Sequence, residues 1–288
     1  MKYFITILTL LFFSCPAFSQ KKLLETNKTE KPSAEIKYKF IYEVSFRPDS
    51  TNQNVLKEKM VLLVSDKVSQ FRSLLLSRRD SIEKSILDDE AMSGKMDPNL
   101  GSRISSMLQG PQPKFNYDIY KFYNTRECYT YSKINNQRFK FKEEPYPVSW
   151  KLTNEKLVID NYKCEKATTS FAGREYEAWF TREIPISDGP YKFSGLPGLI
   201  IKINDSKNDY IFKILQVKKD ENHTNIIISD DLVIETTKEE FKASEKINKE
   251  TALNRASQYG VSFKNPEDIR LKIKNNLKKN NNPIELLP

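Results

Sequence analysis

From Ile36 to Phe46 the chain alternates without a break, placing Ile36, Tyr38, Phe40, Tyr42, Val44 and Phe46 on one side at a period of two. A helix would scatter these side chains around its circumference, whereas a strand lines them along one face. Comparable segments recur downstream. Residues 58–66 and 67–73 read as a hairpin turning at Ser65-Asp66. They are followed by 117–123, 127–133, 138–143, 148–153, 156–161, 162–172, 174–181, 198–205, 209–217 and 224–230. Strands at such short intervals leave no room for alternating crossover helices, so they must pair antiparallel. The expected architecture is mainly β: a curled antiparallel sheet, or open-barrel-like single domain, with one or two peripheral helices.

Helical patterning is confined to two places. Residues 80–93, "DSIEKSILDDEAMS", form a short candidate. A second runs from the T-x-x-E capping box at Thr237 and Glu240 toward Gly260, a residue suited to ending a helix. Between 94 and 113 glycine, proline, serine and asparagine accumulate, which reads as a loop insert. Residues 20–34 are polar and read as a flexible leader. The β-rich domain is expected over 35–269, and 270–288, basic and rich in asparagine, as a solvated tail.

The N-terminus sets the compartment. Lys2, the apolar run from Tyr3 to Phe13 and the small residues around Ala17-Phe18-Ser19 have the pattern of a cleaved secretory signal over 1–19. An apolar run of about eleven residues is short against the roughly 20 needed to span a bilayer. Export is therefore expected, with membrane association only if Cys15 in "FFSC" is lipidated. Cys128 and Cys164 would then sit in an oxidising compartment, where a disulfide is permitted. Two buried, unbridged thiols are the alternative.

The formal charge is +9, from 47 basic and 38 acidic residues. Export and the interspersion of acids among the positives argue against a nucleic-acid partner. Catalytic patterns are sparse. The one histidine, His223, lies in the polar turn "KDENHTN", so neither a histidine metal site nor a Ser or Cys triad has its parts. Paired carboxylates remain arithmetically available, although Asp88-Asp89-Glu90 and Asp230-Asp231 read as turn and cap residues. No cofactor or metal is implied, and the chain leans away from catalysis.

The densest stretch is Tyr162 to Asp205. Three of the eight glycines, Gly189, Gly195 and Gly198, fall within ten residues there, interleaved with Pro185, Pro190 and Pro197. Arg174, Trp179, Asp188, Tyr191 and Phe193 are the side chains best suited to touch a ligand beside such a rigid loop. The same residues could equally dock into the core, with Arg174 and Asp188 as a structural ion pair. Both readings stay open at this stage.

The hexapeptide Gly195-Leu196-Pro197-Gly198-Leu199-Ile200 resembles the motif that gives the GLPGLI family its name. The likeness extends over Asn161 to Ile200, and to "TKEEF" at 237–241 and "NPIEL" at 282–286. Cys164, Lys166, Ala167, Gly173, Arg174, Ala178, Trp179, Phe180, Pro185, Asp188, Gly189 and Pro190 stand at motif positions, and Tyr191 stands where tryptophan is expected. The resemblance implies an exported protein of the periplasm or outer envelope of a Gram-negative bacterium, and transfers no catalytic residue. Gly195 to Gly198 are expected to clamp the chain as it turns into a strand whose Leu199, Ile201 and Ile203 are buried. The expected function is a non-catalytic envelope protein whose concave aromatic face holds an apolar small molecule or a partner segment. The alternatives are an accessory protein docking on an envelope partner by a sheet edge or the tail, and a carboxylate-based enzyme.

Overall fold

The computed structural model describes residues 33–93, 99–135, 137–144, 146–251 and 265–287. The signal, Cys15, most of the leader and Gly260 lie outside these residues. After a short β1 (Ser33–Glu35), six strands form one meander: β2 (Tyr38–Phe46), β3 (Leu56–Val64), β4 (Val68–Ser73), β5 (Tyr117–Phe122), β6 (Glu127–Ile134) and β7 (Gln137–Lys142). Five more form a second: β8 (Lys151–Ile159), β9 (Tyr162–Phe171), β10 (Arg174–Thr181), β11 (Leu199–Asp205) and β12 (Tyr210–Lys219). The two meanders join where β12 pairs antiparallel with β2, from Tyr210 opposite Phe46 to Lys219 opposite Tyr38. β13 (Asn225–Ile227) pairs with β1 in a separate two-stranded sheet, and β14 (Val233–Glu235) adds parallel to β7.

That order forces the sheet to curl. β7 and β8 are ten strands apart in the twelve-stranded sheet, yet only residues 143–150 join them. A flat sheet would separate them by about 48 Å at roughly 4.8 Å per strand. The linker reaches at most about 30 Å when fully extended. The sheet bends into an unclosed curl whose inner face holds the main core: Phe40, Tyr42 and Val44 of β2, Met60 and Leu62 of β3, Phe180 of β10 and Phe212 of β12 are all fully buried. The expected fold class holds.

Several elements differ from the sequence reading. α1 (Leu74–Ser93) starts six residues before the predicted helix, because β4 runs straight into it and the N–H groups of Leu75 and Leu76 donate to Ser73 Oγ. Within the predicted loop insert, Leu100–Gln109 forms α2, and the open space around Gly101 shows that no close approach there requires a glycine. Residues 148–153 and 156–161, read as two strands, contribute to the single strand β8, with a register shift between Leu152 and Lys156 marking the interruption. α3 (Lys238–Glu250) keeps both hydrogen bonds of its capping box and packs Phe241 on Phe139 and Phe141 of β7.

The end of the chain is the largest correction. The basic run within 270–288 is largely exposed, but residues 282–287 dock on the fold instead of extending as a tail. α4 (Pro266–Lys279) takes up the basic run, and beyond it Asn282 and Glu285 are buried. Charge density marked this segment as exposed, but its two docking residues are specific partners for buried cations. Among the described residues no helix is long and apolar enough to cross a membrane.

Candidate functional site

β10 and β11 are adjacent antiparallel strands, a junction that two to five residues can make. Here residues 182–198 make it, and the surplus folds inward as a strap across the mouth of the curl. The strap is laced to itself: Ile186 N–H donates to Ile184 O, Asp188 N–H to Ile186 O, and Gly198 N–H to Leu196 O, each at 2.8 Å. Leu199 and Ile200 of β11 donate back to Ile184 O and Asp188 O. Gly195 has φ of 96°, the left-handed region that favours glycine. Gly198 is required for another reason: a Cβ there would lie 2.1 Å from Thr181 O. The expected clamp is thus a close approach of strap to β10. Leu199, Ile201 and Ile203 follow it into β11 fully buried.

The strap's own side chains fill the curl. Phe193 is fully buried, its ring centroid 4.8 Å from Tyr176, 5.5 Å from Phe171 and 6.1 Å from Trp150. Tyr191, held at φ of 56°, packs among Tyr117, Phe171 and Phe212. The concave aromatic face expected to receive a ligand is occupied by the chain itself.

Two buried polar networks fasten this plug and a third ties the chain's end to β10 and β11; most of their members carried no sequence signal. In the first, the fully buried Lys121 of β5 donates to Asp188 and, at 2.7 Å, to Gly189 O, while Tyr123 Oη donates to the other Asp188 oxygen at 2.8 Å. Burial and the Asp188 carboxylate both push the Tyr123 phenol upward, so it stays protonated. In the second, Lys192 of the strap lies 2.7 Å from Glu143 and also pairs with Glu285, which Lys238 of α3 approaches to 2.6 Å. Burial alone would raise the Glu285 carboxyl, but Lys192 and Lys238 reverse this and hold it at about 2. In the third, Arg174 binds Asp205 at 2.9 Å and Asp209 at 3.3 Å, and donates to Asn282 Oδ1 and to the carbonyls of Pro283 and Ile284. Arg47 closes this group at 2.6 Å from Asp209.

The residues singled out from sequence therefore have other tasks. Arg174 and Asp188 do not pair with each other; each anchors a different network. Tyr191 and Phe193 are core. Trp179 alternates to the outer face of β10, half-buried, with Lys166 Nζ 5.8 Å from its ring centroid. Cys128 and Cys164 are buried free thiols on β6 and β9, strands far apart in the sheet order, so the permitted disulfide does not form. Burial pushes the Cys164 thiol up to about 11. Two carboxylate pairs do converge, Asp205 with Asp209 and Glu143 with Glu285, but each is neutralised inside the fold by two cations.

A cleft of about 630 Å³ lies open at the strap's outer edge. Tyr38 at the start of β2, the β3–β4 turn and the β5–β6 turn form one side. Tyr146, Pro147 and the strap residues Pro185 to Ser187, Ser194 and Gly195 form the other. None of the five expected ligand-contacting residues lines it. Asp188 lies one layer behind, through Tyr123, which does. Nothing local in the sequence places Tyr146 and Pro147 opposite Tyr38.

The fold and strap define a curled antiparallel sheet plugged from within. The sequence model of a family described as "Protein of unknown function (Porph_ging)" matches residues 171–202, the end of β9, β10, the strap and the start of β11. This is the GLPGLI-type family, matched over a short stretch. Two solved structures of PNGF-II, in P21 and C2 space groups, resemble the chain at TM-scores of 0.51 and 0.50, with 14% and 15% identity. They cover 74% and 75% of this chain, which spans about a third of their length (34% in each case). At that identity the likeness concerns the fold alone. A comparison with curated proteins finds no match.

Proposed function

We propose that this chain is a non-catalytic binding protein of the cell envelope, exported by its signal, that holds its ligand in the strap-edged cleft rather than inside the curl. The observation that supports this is the cleft itself. It is the size of a small-molecule site and is walled by aromatic and proline residues, and the buried networks at Asp188 and Lys192 hold its strap wall before any ligand arrives. Ser187 is exposed on that wall. Ser187→Trp is expected to fill the cleft, removing a ligand mass seen on the wild type by native mass spectrometry while leaving the melting temperature unchanged. Bare wild-type protein, or an equal ligand mass on both, would count against the reading.

One observation favours a second reading, docking on an envelope partner. β8 is an end strand of the sheet, and Leu152, Leu157 and Val158 are about half exposed or more on it. An uncovered edge with apolar side chains is suited to accepting a partner's strand. Val158→Lys is then expected to abolish cross-linking to the partner while the cleft still binds. Unchanged cross-linking would rule out the β8 edge.

A further inference from the structure

Of the side chains lining the cleft, three are charged: Lys37, Asp66 and Arg126. Asp66 is already matched by Lys37 at 3.2 Å. Arg126 is exposed, and its guanidinium has no hydrogen bond or ion pair among the described residues. Its backbone is held at φ of 56°, in the left-handed region, inside the four-residue turn between β5 and β6. Glycine or asparagine would take that conformation at lower cost. The fold thus tolerates an unfavourable residue whose charged head does nothing for the fold. Such departures from local preference gather at functional sites.

We propose, resting on the cleft reading above, that the ligand is a planar apolar body carrying an acid group, and that Arg126 receives that group at the rim. The walls set the body: Tyr38, Phe122 and Tyr146, with Pro147 and Pro185, make the lining rich in ring-bearing residues. The rim sets the head. With Lys37 and Asp66 cancelling, Arg126 leaves the cleft one net positive charge, and a guanidinium offers a carboxylate two parallel N–H donors. Tyr123, whose proton is committed to Asp188, is a wall and not a competing donor.

The test uses two probes that differ only in the head, naphthalene-2-carboxylate and naphthalene-2-methanol, titrated calorimetrically at fixed ionic strength. Wild type is expected to bind the carboxylate several-fold more tightly than the alcohol, since an exposed charge pair is worth up to roughly fivefold. Arg126→Gln should remove that preference and leave the alcohol's affinity unchanged. Arg126→Gly should lose the same affinity while raising the melting temperature by a few degrees, a pair of effects that a purely structural arginine would not give. If Arg126→Gln binds both probes as wild type does, and Ser187→Trp abolishes both, the acid-group inference fails and the cleft reading survives. If wild type binds neither probe, or Ser187→Trp leaves binding intact, both fail together.

Discussion

Asp188→Asn is expected to destabilise the protein by about 3–5 kcal/mol, read as a shift of the urea midpoint. Lys121 and Asp188 are both fully buried, so the substitution strands an ammonium group in the core. Lys121 would keep the carbonyl of Gly189, at 2.7 Å, but lose its counter-charge. Set against a typical total of about 5–15 kcal/mol, the loss takes a large share of the stability. The companion variant Lys121→Met with Asp188→Asn should recover much of it, because no charge is then left buried. A loss below about 1 kcal/mol for Asp188→Asn alone would mean that the pair is not isolated from solvent, and that the strap is not held as described.

The second large effect concerns the chain's end. The Glu285 carboxyl, held at about 2 against an ordinary 4.5, contributes stability that is fully present above pH 4.5 and is lost as pH falls through 2. The depression corresponds to about 3 kcal/mol at roughly 1.4 kcal/mol per pH unit. Glu285→Gln should therefore be less stable than wild type by about that amount at neutral pH. The gap should narrow steadily between pH 4.5 and 2, where the wild type loses its own charge. Denaturant midpoints measured across this range decide the matter. A gap independent of pH would show that Lys192 and Lys238 do not depend on the Glu285 charge.

The consequence for function is rigidity. The β10–β11 strap is stapled by Lys121 from β5 and, through Lys192, by Glu143 and by Glu285 of the final residues, both of which Lys238 of α3 also approaches. The cleft along its edge is built on a wall that does not need to fold when a ligand binds. Arg174 ties the same final residues to β11 and the β11–β12 turn through Asp205 and Asp209.

Much of this was legible in local pattern. Alternation in β2 placed Phe40, Tyr42 and Val44 inward, and the T-x-x-E signal placed the start of α3, because each depends on neighbours a few residues away. The glycines of the strap announced a constrained turn. In β5 the same alternation puts Lys121 on the inward side with Ile119, a lysine where the pattern asks for an apolar residue. Nothing nearby explains it, since its partner Asp188 is 67 residues away. Glu285 and Lys192 are 93 residues apart, and a lone acid in a basic, asparagine-rich run reads as solvent-facing until that partner is known.

By itself, then, the sequence determined most of the long strands, the helix cap and the existence of a tight glycine-proline strap, all of which follow from side-chain period and backbone freedom within a few residues. Tertiary structure alone decided that β12 meets β2, that an eight-residue linker pulls the sheet into a curl, and that the strap turns inward to fill it. It also decided which charges are buried together and where a cleft is left over. Those outcomes depend on pairings between segments tens to hundreds of residues apart, and a charged side chain carries no local mark of whether its partner will be water or another buried charge.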